Sequence, residues 1–336
     1  MNFRLTRIPA LQKVSSLCWQ ADHLVDRANG GARYYLDGST TPASVLWGYK
    51  FNAAVQSPSG RYAVIYERLG TKGLILEGCK LVREINRSFY HAGVYEYPVA
   101  LFSGPDGREL IVHCPDEYCQ LEVEDVATGE RLTGGPARKP SDFFHSRLAV
   151  SANGRWLLSA GWIWHPLDLV VAYDLPAALN CPGLLDKGER AGSDIDGEIN
   201  TACFYSDSNL LVAANPDAED FENTDCQGLP PGHLGVLSLT ANRMVQSVKY
   251  DGVVGTMMPW GADKALSFHR HPKVIDLSTG AVIHAWPELN TGEQSSSIIR
   301  HIPALPPLAM DPAGQRFAVA SPGEIVVIEM LGGTGP

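Results

Sequence analysis

The stretch Arg147–Ala160, RLAVSANGRWLLSA, decides the fold. Two short apolar runs flank the polar turn Asn153-Gly154, which offers the positive-φ position that a tight hairpin wants. The same pattern recurs along the chain. AAVQSPSGRYAVIY (Ala53–Tyr66) and VALFSGPDGRELIVH (Val99–His113) precede it, and ACFYSDSNLLVAA (Ala202–Ala214), GTMMPWGADKALSF (Gly255–Phe268) and PLAMDPAGQRFAVA (Pro307–Ala320) follow. A weaker copy, SSLCWQADHLVDRA (Ser15–Ala28), comes before all of them. The turns Ser59-Gly60, Asp106-Gly107 and Ala313-Gly314 carry the same chemistry, and Gly60, Gly107 and Gly154 are spaced by 47 residues and 47 again. A regular period of this length marks a repeat architecture.

Each clear copy has a second half of the same kind. LEVEDVATGERL (Leu121–Leu132), LVVAYDL (Leu169–Leu175) and KVIDLSTGAVIHAW (Lys273–Trp286) alternate as strands around hairpin turns. One unit therefore predicts four antiparallel strands, and seven units of about 48 residues fill the 336-residue chain. Radial stacking buries both faces of each sheet and leaves no long exposed edge. The expected fold is all-β, a seven-bladed β-propeller forming one domain over residues 1–336. The last unit, Pro306–Met330, holds only three strands, while Asn2–Pro9 (NFRLTRIP) alternates as an edge strand. That N-terminal segment is expected to close the ring as the outer strand of blade seven. The phrases SPSGRYAVIY, SANGRWLLSA and VVAYDL give the chain a resemblance to WD40-like propellers. The resemblance implies an interaction platform.

Composition narrows the function classes. Charged residues are 19%, below the usual quarter or so, and hydrophobic residues are 45%, so a large core is available. Gly and Pro, 33 and 23, suit many short strands and turns rather than long helices. The net charge of −10 argues against nonspecific nucleic-acid binding. No run of about 18 apolar residues exists to span a membrane, and Met1–Trp19 lacks the apolar centre of a signal peptide. Seven cysteines, an odd number, fit reduced thiols better than a disulfide framework. These features predict a soluble cytoplasmic monomer.

In a four-stranded meander, loops alternate between two faces. The SPSGR-type turns share one face; the loops between second and third strands, and the blade-to-blade connections, share the other, here called the top. Eight of ten histidines fall to the top by this scheme. The richest candidate is on blade four. KPSDFFHS brings Asp142, Phe143, Phe144 and His145, and GWIWHPLD brings Trp162, Trp164 and His165 to the same top edge. Aromatics there are typical interface anchors, and alternation predicts that one tryptophan points in and the other out. His269, Arg270 and His271 form a second candidate on a short top turn. Blade five carries an acidic insertion, residues 215–235, with Asp217, Glu219, Asp220, Glu222 and Asp225 and no basic residue. It lacks the order of a calcium loop and reads as a solvated segment that steers a basic partner. SDIDGE (Ser193–Glu198) lacks the downstream ligands such a loop needs, and Cys114 and Cys119 beside His113 lack the second pair a structural zinc wants.

No nucleophile elbow, phosphate-cradling loop or His-Glu-x-x-His motif is present. No catalytic residue, cofactor or metal site is expected. The favoured function is a non-catalytic platform, of adaptor or immunity type, that binds a partner protein through top-face loops. The alternative is a metal-dependent hydrolase or lyase with His113, His145, His165 and His269 converging at the mouth of the central channel. A purely structural subunit is a third form.

Overall fold

The computed structural model describes residues 2–10, 12–135, 137–164, 166–190, 198–218 and 228–331. The strands form seven antiparallel sheets in chain order, the blades one to seven of a propeller. Six sheets have four strands. Blade three has three, Val99–Ser103, Glu109–His113 and Glu122–Asp125, and its fourth position is reduced to a bridge between Glu124 and Arg131. The expected fourth strand after Ala127-Thr128-Gly129 is thus a single pairing, because the chain leaves the sheet at Leu132 toward blade four.

Local chemistry sets the inner hairpins. In blade two Ser57 Oγ accepts from Tyr62 N, and in blade four Ser151 Oγ accepts from Trp156 N while Asn153 Oδ1 accepts from Arg155 N. Gly60, Gly107 and Gly154 take the positive φ expected of them. Gly314 does not; in that turn Gln315 is the left-handed residue, at φ 49°. A longer turn, closed by Gly314 N on Asp311 Oδ1, moves the left-handed position one residue on.

Asn2–Pro9 pairs residue for residue with Glu324–Leu331 and completes blade seven, so the ring is closed by the N-terminal strand. Seven apolar clusters fill the seven gaps between neighbouring blades, for example Leu158, Leu210 and Leu237 between blades four and five. Burying both faces of every sheet explains why the strands read as near-continuous apolar runs. Blade four also carries two short helices, Leu175–Asn180 and Leu184–Lys187. The first starts where Asp174 accepts from Ala177 N, with Pro176 in its first turn.

The connection from blade six to blade seven does not take the short way. Thr291 and Gly292 pair with Arg270 on blade six. Ser297 N then donates to Asp168 Oδ1 on blade four at 3.0 Å, and Ile299 N donates to Val94 O, before blade three, at 2.8 Å. Ile299, Ile302 and Leu305 next face Trp47 and Phe51, between blades one and two. Blades three and four lie opposite blade seven in a ring of seven, so this strap crosses the axis. It covers the top mouth of the channel, while the bottom end remains a cavity of about 930 Å³ lined by five inner strands and their turns.

Candidate functional site

An eighth apolar cluster belongs to no gap between blades. It consists of Tyr95, Phe144 and Trp162, with Tyr118 and Ile298 packed against it, on the top of blades three and four. The segment before blade four runs beside its second strand, Trp156–Ile163. Phe144 N donates to Trp162 O at 2.9 Å and Trp162 N to Phe144 O at 3.2 Å. Gly161 permits this approach, since a Cβ there would lie 1.9 Å from Phe144 O. The rings then stack. Phe144 lies 3.9 Å from Trp162 at an interplanar angle of 8°, and 4.3 Å from Tyr118 at 26°.

A second layer stands on this stack and faces solvent. Trp164 is 40% exposed and meets Trp162 edge-on at 5.3 Å and Phe144 at 5.4 Å. Tyr90 is 46% exposed and His91 packs edge-on against Trp164 at 5.0 Å. Phe89, beside them in sequence, is 87% exposed. The loop that presents these residues is clamped from within by Arg87. Its guanidinium donates to Gly70 O at 2.7 Å, to Ala92 O at 2.7 Å and to Tyr95 O at 3.0 Å, and lies over the Tyr95 ring at 4.7 Å. The exposed aromatics therefore rest on ordered rings and an ordered backbone.

The sequence candidates divide accordingly. Alternation placed one tryptophan in and one out, and the structure shows Trp162 buried and Trp164 exposed. Phe143, Phe144 and His145, expected as surface anchors, are buried beneath that surface, as is Trp162. Their role there is support, because propeller blades are apolar on both faces and take these rings inward. Asp142 stays exposed, and Tyr118 Oη donates to its Oδ1 at 2.7 Å. Asp142, Phe143, His145 and Trp164 also line one cavity of about 370 Å³ beside Tyr173 and the helix Leu184–Lys187. His165 lies outside the described residues. His269, Arg270 and His271 are not part of this cluster. Arg270 sits in the left-handed region at φ 66°, pairs with Gly292 and contacts Glu293 at 3.2 Å, so the turn secures the root of the strap.

The histidines do not converge. His113 is buried against Glu124 at 3.3 Å. Burial opposes ionisation of Glu124, but His113 and Arg83 outweigh it and hold the carboxyl down at about 2. His145 contacts Ser159 Oγ and Cys119 O, each at 3.2 Å. Among the described residues no group of three or more His, Cys, Asp or Glu side chains is arranged to hold a metal ion. Of the histidines expected at the channel mouth, His113 and His145 are buried in separate contacts, His269 stands at the root of the strap, and His165 lies outside the described residues. Residues 219–227 of the acidic insertion, with Glu219, Asp220, Glu222 and Asp225, and residues 193–197 of SDIDGE lie outside the described residues.

Burial lowers the pKa of His145 to about 3, against the pull of the Cys119 carbonyl and with the help of Arg138. The native state thus holds the neutral ring. A base with a depressed folded pKa contributes stability that is complete above its ordinary value near 6.5 and lost as pH falls toward about 3. Stability is expected to fall by an amount on the order of 5 kcal/mol through that window. Urea unfolding at a series of pH values measures it, and His145→Gln should flatten the dependence.

Sequence reasoning counted His91 among the top-face histidines, but it missed Phe89, Tyr90 and Tyr118 as site residues, and it missed the strap. The available signal was the run Ser88-Phe89-Tyr90-His91 in the connection from blade two to blade three, two adjacent large aromatics where a linker needs none. No family model and no curated protein sequence matches the chain. Among solved structures it is similar to the WD40 β-propeller domain of Doa1, with a TM-score of 0.54 and 9% identity over 98% of both chains. At that identity the likeness concerns the fold alone, and the same fold is matched by 925 solved chains, too many to single out one activity. This chain is a seven-bladed β-propeller whose fold is similar to that of a WD40 propeller domain.

Proposed function

We propose that the protein is a non-catalytic binding platform, of adaptor or immunity type, whose partner protein seats on the top face over blades three and four. The carrying observation is the exposed aromatic pair of Trp164 and Tyr90 standing on the packed rings of Phe144, Trp162 and Tyr118, with Phe89 exposed beside them in sequence. Large aromatics held in place before contact lose little side-chain entropy on binding, so the apolar area they bury is retained as affinity. Asp116, Glu117 and Asp142 lie exposed nearby. With a net charge of −10 they favour a partner with a basic rim. We further place the protein in the cytoplasm as a monomer. The six described cysteines are all free thiols, which suits a reducing compartment, and the chain closes its own ring. No helix among the described residues is long and apolar enough to cross a membrane.

The test uses a photo-crosslinking amino acid at position 164, with position 59 on the opposite face as control, in extract of the native host. The partner identified from position 164 is then purified and its affinity measured by calorimetry. Trp164→Ala is expected to weaken binding roughly 30-fold or more, the scale of a central anchor, with an unchanged circular dichroism spectrum. An affinity within twofold of wild type, or equal crosslinking from position 59, would sink this reading.

A further inference from the structure

We propose a second site, distinct from the platform surface: a top-face cavity that binds an apolar-chain carboxylate of the fatty-acid type. The cavity lies between the strap and the connection from blade one to blade two and measures about 790 Å³. That is within the roughly 300–1,000 Å³ of small-molecule sites. Apolar side chains make up the larger part of its walls, Val14, Trp47 and Phe51 on the ring side and Ile299, Ile302 and Leu305 on the strap, with Ser15, Asn29 and Asn52 among them. Leu46, 90% exposed, and Tyr49 stand at its lip.

The charges on this cavity point to an anion. Lys13 and Lys50 both line it, and neither ammonium group makes a hydrogen bond or ion pair with any described residue, although the Lys13 carbonyl accepts from Asn29 Nδ2 at 3.3 Å. Arg68 also lines it and is matched by Glu96 at 3.1 Å. Glu67 is the one carboxylate among the lining residues, and its Oε2 already accepts from Tyr49 Oη at 2.6 Å. Many cations elsewhere are paired, as at Arg4–Glu329, Arg61–Glu77 and Arg155–Asp174, whereas these two ammonium groups share one cavity. Two uncommitted ammonium groups on an apolar cavity, in a protein of net charge −10, form the complement of a chain that is apolar along its length and negative at one end.

Dodecanoate is the probe, titrated below its micelle concentration and followed by calorimetry. Saturable one-to-one binding is expected, strengthening about twofold to fourfold for each added methylene as the chain is lengthened. Lys13→Ala with Lys50→Ala should weaken it about tenfold or more, with an unchanged melting temperature because both side chains are free of partners. Dodecanol should bind more weakly and dodecyltrimethylammonium weaker still. Trp164→Ala should leave dodecanoate affinity unchanged, which separates this site from the platform surface. Absence of saturable binding, equal binding of the ammonium amphiphile, an unaffected double-lysine variant, or loss on Trp164→Ala would each overturn the proposal.

Discussion

Phe144→Ala is expected to cost about 3–5 kcal/mol of stability, the scale of a fully buried phenylalanine removed from a core. Phe144 has no exposed surface, and its ring is held between Trp162 at 3.9 Å and Tyr118 at 4.3 Å. Truncation leaves a void that neither neighbour can fill. Trp162 is fixed in its strand opposite Asp168, and Tyr118 is tied to Asp142. Urea unfolding should show a lower midpoint at unchanged slope. Trp164 also loses its edge contact with the removed ring, so its fluorescence should shift toward that of a solvated indole. Phe144→Leu keeps part of the volume and should cost about 1–2 kcal/mol. A cost below about 1 kcal/mol for the alanine variant would mean that the stack is not a rigid support, and the argument for a preformed surface above it would fail.

Asp168→Ala is expected to cost about 3–5 kcal/mol, because it leaves a buried charge without its partner. Asp168 is almost fully buried at the top of blade four, where its Oδ1 accepts from Ser297 N at 3.0 Å and from Ser297 Oγ. Arg147 lies half-buried near it and donates to Ala160 O at 3.1 Å and Asn200 O at 2.7 Å. Burial raises the pKa of the aspartate and lowers that of the arginine, and the charge of each opposes the other's shift. The same substitution frees the strap, and hydrogen exchange should show faster loss of the Ser297 amide. The Ile299 amide, bonded to Val94, should be affected less. Asp168→Asn keeps an acceptor for Ser297 but not the charge, so it should preserve strap protection better than it preserves stability. Unchanged exchange at Ser297 in the alanine variant would show that the strap is held by its other contacts alone.

Legibility followed sequence distance. The hairpin turns are local, so Ser57, Asn153 and their glycines announce them, and the spacing of 47 residues announces the repeat. Alternation in Trp162-Ile163-Trp164 required the two indoles to diverge, but not which one would be buried. Both faces of a propeller blade are apolar, so period-two patterning identifies a strand without marking its solvent side. Blade three shows the converse limit: the Ala-Thr-Gly-Glu turn has full hairpin chemistry, yet only Arg131 pairs beyond it. Turn residues specify a reversal, and the length of the following strand depends on where the chain must go next.

By itself the sequence determined the strand repeat, the number of blades and the closing strand, since each follows from local conformational preference and from the burial of apolar residues at a fixed period. Only the tertiary structure decided which aromatics face solvent and how the channel mouth is filled. Phe144 meets Trp162 across the gap between a connection and a strand, and Ser297 meets Asp168 across 129 residues. Such contacts depend on where the closed ring brings distant segments together, and no local pattern encodes that distance.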